Sequence, residues 1–194
     1  MKRSANHKSI VVVTMGYILF LFGQPVSASQ SADSGFRPTF QVMNTTLELS
    51  GVGELMYMGF IKIYDGALYL PAETNNSQVL EDIPKRLEVR YVRSFKAKDF
   101  GPATTAGIKK NVDPETYAEL KSKIAYHNGL YDDIASGDRV SLTYIPAVGT
   151  LLEINGTTMG TIEGADFARA LFSMWLGEKP FDRSFKRALL GEKR

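Results

Sequence analysis

Residues 139–162, RVSLTYIPAVGTLLEINGTTMGTI, decide the fold class. Val140, Leu142 and Tyr144 alternate with Arg139, Ser141 and Thr143, the period of two that sends successive side chains to opposite faces of a strand. Leu151 to Ile154 and Thr157 to Ile162 flank Asn155-Gly156, a pair that tolerates positive φ and so predicts a two-residue hairpin turn. Strands joined in this way lie antiparallel.

Toward the N-terminus the same period recurs. Leu87 to Arg93 reads as a half-buried strand, with Leu87, Val89 and Tyr91 on one face and Glu88 and Arg90 on the other. Phe60 to Leu70 is rich in branched and aromatic residues, and Thr39 to Leu49 alternates more loosely. Gly51, Gly53 and Gly59 punctuate these runs. Gly51-Val52-Gly53 lacks a third glycine and leads into strand-like residues, so it reads as a bend rather than a phosphate loop. Residues 71–78 are a polar loop leading into a short helix before Pro84.

Helices occupy the remainder. Asp113-Pro114 is a helix start, with an acceptor at the cap and proline in the first turn. Behind it Tyr117, Leu120, Ile124, His127, Tyr131 and Ile134 recur at spacings of three and four, which predicts one long helix, with Asn128-Gly129 as an earlier stop. A helix from Ala165 carries Phe167, Leu171, Met174 and Trp175 on one face and ends at Gly177 and Pro180; a short one runs from Asp182 to Leu190 and stops at Gly191. Sequential strands and two clusters of helices, without repeat or linker, give an α+β domain whose antiparallel sheet is covered by a layer of helices.

The first 28 residues have the order of a cleavable secretory signal: Lys2, Arg3 and Lys8, an apolar run from Ile10 to Phe22, then Val26-Ser27-Ala28. That run is shorter than the roughly 20 residues that span a bilayer, so no stable membrane anchor is expected after cleavage. The expected organisation is a signal over 1–28, a flexible leader over 29–39 and one domain over 40–191, in the periplasm or outside the cell. Cleavage leaves 20 basic against 21 acidic residues from the 23 and 21 of the whole chain, a balance that argues against a nucleic-acid partner. Without cysteine there is no disulfide, thiol nucleophile or thiolate metal site, and neither metal nor cofactor is expected. His127, the one histidine beyond the signal, lies on an apolar stripe and reads as a core residue, with a ligand contact, including an axial bond to haem, as the alternative. The nucleophile-elbow pattern Gly-x-Ser-x-Gly is missing.

Three segments together resemble the chalcone isomerase-like family, in particular a bacterial exported branch. They are Gly59 to Leu70 (GFIKIYDGALYL), Gly137-Asp138-Arg139 through Tyr144-Ile145-Pro146 to Gly149-Thr150, and Gly160 to Phe167 onward to Trp175-Leu176-Gly177. With Ser184 to Gly191 the likeness spans most of residues 40–191. It implies a curved antiparallel sheet, a helical layer and a ligand cleft between them. In the plant enzymes a phenolate oxygen adds to an enone while an arginine steadies the anion and hydroxyl side chains hold a water. The stretch matching that arginine is Glu54-Leu55, so the resemblance implies a site without the cation, in which a carboxylate takes its place and disfavours anions unless Lys62 or Lys110 turns inward. The family's other positions fall on Tyr64 and Thr104, on Asn111, and on the pair Ser173-Met174. The expected function is non-catalytic binding of an apolar small molecule through these five residues. The alternatives are an intramolecular lyase or isomerase using Tyr64, Thr104 and Asn111, and an envelope interaction protein without a small ligand.

Overall fold

Seven strands form one curved antiparallel sheet in strict sequence order: β1 (Thr39–Val42), β2 (Thr45–Tyr57), β3 (Ile61–Pro71), β4 (Lys85–Tyr91), β5 (Arg139–Ile145), β6 (Gly149–Ile154) and β7 (Thr157–Ile162). The computed structural model describes residues 35–192; the expected signal and the first part of the leader lie outside them. Within the expected leader Phe36 is buried and Thr39 already belongs to β1. At the predicted hairpin Asn155 and Gly156 both have positive φ, 50° and 82°, and Ile154 pairs with Thr157. Met58 and Gly59, also at positive φ, turn β2 into β3.

One face of the sheet is apolar and carries the helices. These are α1 (Ala97–Lys109), α2 (Pro114–Asn128), α3 (Ala165–Leu176) and α4 (Arg183–Leu189). Leu68, Leu87, Val89, Val140, Leu142 and Leu152 join Ile108, Leu120, Ile124, Phe167, Leu171 and Phe172 in the main core. The other face is charged, yet in the middle of the sheet it is also buried, so β4 and β5 are covered on both sides rather than half-buried. Arg86 pairs with Glu153 at 2.6 Å and Glu88 at 3.2 Å, Arg139 with Glu88 at 2.6 Å, and Arg90 with Asp65 at 3.0 Å. Phe36 and Phe40 lie under Arg139 and Arg86, closing a smaller core with Val42, Leu47, Ala67 and Tyr69. Buried charge persists there because each ion has its counter-ion.

Two expectations are corrected. The bend at Gly51-Val52-Gly53 is a β-bulge within a continuous β2, and its glycines seat α4: a Cβ on Gly51 would lie 2.1 Å from the Ala188 carbonyl oxygen, and one on Gly53 2.8 Å from the Ala188 Cβ. The long helix stops at Asn128. Beyond it the chain is extended, because Phe95 and Ile134 exchange backbone hydrogen bonds at 2.8 and 2.9 Å and Asp133 accepts from the Ala97 N–H at 2.9 Å, capping α1. Tyr131 and Ile134 therefore reach the core from the connection after the helix, Ile134 through an isolated bridge, rather than from the helix stripe. Helix α1 itself had no periodic signal strong enough to read, since Gly101, Pro102 and Gly107 interrupt it.

Candidate functional site

Between the ends of β2, β3 and β4 and the helices α1 and α3 lies a cavity of about 450 Å³, within the roughly 300–1,000 Å³ of small-molecule sites. Leu55, Ile63, Tyr64 and Tyr91 form its floor; Phe100, Ala103 and Thr104 come from α1, Met174 and Trp175 from α3, and Tyr131 and Phe181 from the connections. The walls are held by edge-to-face aromatic pairs, Tyr64–Tyr91 at 5.2 Å and Tyr91–Phe95 at 5.4 Å, and by Phe100 stacked on Tyr131 at 4.3 Å. Behind Tyr64, Tyr91, Tyr131 and Trp175 a void of about 20 Å³ extends toward Leu87 and Leu142.

Apart from the Asp99 carboxylate at the rim and the Trp175 indole N–H, the polar side-chain groups of this cavity are hydroxyls. The Trp175 indole N–H donates to the Tyr64 oxygen at 2.7 Å, and the Tyr64 O–H has no acceptor among the described residues. Thr104, Tyr91 and Tyr131 make no side-chain hydrogen bond with any described residue. Burial holds the Tyr64, Tyr91 and Tyr131 phenols well above their usual range, so all three remain neutral donors at any physiological pH. Asp99, exposed at the rim, is the one ionisable acid in the lining, and no lysine, arginine or histidine lines the cavity.

The expected site residues divide between two places. Tyr64, Thr104 and Met174 meet in this cavity. Asn111 and Ser173 lie across α3 at a more polar hollow of about 650 Å³ that also contains Lys110, Arg169 and Lys179. There both are occupied by backbone. Asn111 donates to the Gly107 and Lys179 carbonyls and accepts from the Lys179 N–H, all at 3.0 Å, and the Ser173 hydroxyl donates to Ala170 at 2.7 Å. Asn111 is a clamp on the turn after α3.

Glu54 does not enter the cavity. Alternation along β2 turns Leu55 inward and Glu54 outward, where Lys62 holds it at 2.6 Å while also binding Asp65 at 2.7 Å. A leucine, rather than a carboxylate, thus occupies the cavity side of this pair, and neither Lys62 nor Lys110 restores a cation. The sequence reading missed Phe95, Phe100 and Asp99 because it missed α1 and its approach. Tyr91 and Tyr131 were visible only as apolar positions. A third hollow, about 820 Å³ on the charged face, is lined by Arg86, Glu88, Arg139 and Glu153, which pair with one another.

The sequence matches the chalcone isomerase-like family over residues 28–191. Among solved structures, a fatty-acid binding protein of Arabidopsis thaliana shares the fold, with a TM-score of 0.60 over 80% of this chain and 90% of that one, at 17% identity. No curated protein matches the chain by sequence.

Proposed function

The chain belongs to the chalcone isomerase-like family, and from this premise we propose that it is an exported, non-catalytic binding protein for a neutral, largely apolar small molecule bearing an oxygen acceptor. The carrying observation is the cavity of about 450 Å³ whose walls are aromatic and aliphatic and whose polar groups, apart from Asp99 at the rim and the Trp175 indole, are hydroxyls with no acceptor among the described residues. A ligand carbonyl or ether oxygen accepting from Tyr64, Tyr91, Tyr131 or Thr104 satisfies them, and the ring walls bury the remainder. Met174 contributes a flexible apolar wall. The Arabidopsis neighbour is a fatty-acid binding protein, which supports an apolar ligand on this fold. Here a free carboxylate would be buried without a cation and face Asp99 at the rim, so its neutral ester should bind better. The same lack of a cation disfavours cyclisation of a chalcone, since losing one preorganised partner for a developing anion costs about 10²–10³ in rate.

Trp175 is the chain's single tryptophan and its indole forms part of the wall, so its emission reports occupancy. Titration with a long-chain acid and with its methyl ester at pH 7 should give tighter binding of the ester. Tighter binding of the acid would refute the charge argument. No response to any apolar compound would hand the function to the protein-interaction reading.

A further inference from the structure

The β2–β3 hairpin ends in a surface that a soluble domain has no use for. Tyr57, Met58 and Phe60 are 60%, 69% and 71% exposed, and Phe181, on the same cavity's lining, is 39% exposed. Residues 55–61, Leu-Met-Tyr-Met-Gly-Phe-Ile, contain no charge at all. Isolated exposed apolar residues mean little, but several on one protruding turn mark a contact surface.

We propose that this hairpin tip docks the protein on a lipid bilayer, inserting Met58 and Phe60 below the headgroups beside the mouth of the cavity. Several features favour lipid over a protein partner. On the β3 side the hairpin edge is covered: the ladder closes at Tyr57–Ile61, the Phe60 N–H donates to the Tyr57 carbonyl at 3.3 Å, and Val92 and Arg93 donate to the Ile63 and Lys62 carbonyls, each at 3.0 Å. Arg93 is exposed at the base of the hairpin and has no acidic partner among the described residues, so its remaining N–H groups are available to a lipid phosphate. Tyr57 stands between Arg93 and the apolar tip, the level at which tyrosine prefers to sit in an interface. Leu55, Met56 and Tyr57 also line the cavity, so an apolar molecule leaving the bilayer would pass from lipid to protein along one continuous apolar wall. Docking stands independently of the ligand proposal; only its purpose rests on it.

The absence of cysteine allows a site-specific test in the full chain. Met58→Cys carries an environment-sensitive dye at the tip, and Ser122→Cys carries it on the exposed side of α2 as a control. Both chains have the same N-terminal segment, so attachment through that segment alone would leave the Met58 dye in water. With vesicles of phosphatidylcholine containing a minority of phosphatidylglycerol, the Met58 dye should shift to the blue and be quenched by spin-labelled acyl chains, while the Ser122 dye does neither. Phe60→Ser in the Met58→Cys chain should raise the lipid concentration for half-binding roughly tenfold, the effect of withdrawing one aromatic side chain from an apolar phase. Since Phe60 does not line the cavity, ligand titration of Phe60→Ser should be unchanged, which separates failure of docking from failure of ligand binding. A Met58 dye that stays in water on vesicle-bound protein overturns the proposal. So does a blue shift that grows with protein concentration in the absence of lipid, which would assign the tip to a second copy of the chain.

Discussion

Acidification should destabilise this domain through one side chain, His127. Its ring is wholly buried, edge-on to Tyr131 at 5.3 Å and tilted against Phe167 at 5.6 Å. Nδ1 lies 3.4 Å from the Asn128 side-chain oxygen, and Nε2 has no partner among the described residues. Burial disfavours the imidazolium and pulls the pKa down from 6.5 to about 4, with the weak Asn128 contact opposing it. Between those values the unfolded chain binds a proton that the folded chain refuses. Stability is therefore complete above pH 6.5 and falls as the pH drops toward 4. At about 1.36 kcal/mol per unit, the span amounts to about 3 kcal/mol, a large part of the roughly 5–15 kcal/mol that holds a domain together. Asp65, Asp113, Asp133, Asp138 and Asp166, whose pKa values are lowered by their ion pairs and hydrogen bonds, add acid sensitivity only near pH 4 and below. Urea unfolding followed by Trp175 emission at pH 7, 6, 5 and 4.5, in the parent and in His127→Phe, isolates the histidine. The parent should lose stability by about 1 kcal/mol per unit below pH 6.5, and the variant should be flat from pH 7 to 5. Parallel slopes would refute the assignment.

Tyr64→Phe removes the acceptor of the Trp175 N–H and one ligand donor; it should cost about 1–2 kcal/mol of stability and weaken an ester ligand about tenfold by calorimetry, whereas unchanged affinity would remove Tyr64 from the site. Gly66→Ala places a methyl 2.6 Å from the Phe185 ring and should lower stability by about 1–3 kcal/mol in a thermal melt, since α4 must move off the sheet. Asn111→Ala strips the clamp on Lys179 and should cost about 1–2 kcal/mol while leaving ligand affinity within about twofold; a larger loss of affinity would return Asn111 to the binding site.

The meander and the sequence of helices were legible because local rules agreed with tertiary packing. Asn155-Gly156, Asp113-Pro114 and the alternation of Val140, Leu142 and Tyr144 each carry their own geometry, and the fold needed nothing contradictory from them. Where tertiary contacts decided, the reading failed. Asn128-Gly129 marks the helix stop, but nothing local shows where the chain goes beyond it, because that is set by the bridge of Ile134 to Phe95, 39 residues away in number, which no periodicity contains. Nothing local shows that the Glu88 and Ser141 face of the sheet is buried, because part of the cover is Phe36, in the stretch that reads as a leader, and the rest is Phe40, at the very start of the domain. For the site, residue type was readable and position was not. Tyr64 and Thr104 looked like polar contacts and do line the cavity, yet Ser173 and Met174, adjacent in sequence, point to opposite sides of α3.

The cavity exists because α1 approaches α3 unevenly. At Gly107 there is no room for a side chain, since a Cβ there would lie 2.6 Å from the Phe181 ring and 2.8 Å from the Met174 sulfur. One turn earlier the facing residues are Ala103 and Thr104, too small to fill the gap that Tyr64, Trp175 and Phe100 frame. Aromatic side chains leave such a gap open because edge-to-face contacts fix their planes, and collapsing the space would break those contacts without filling it. Two features that break the helical pattern of 97–109 thus shape the site: Gly107 sets the close end, and the small Ala103 and Thr104 the open one.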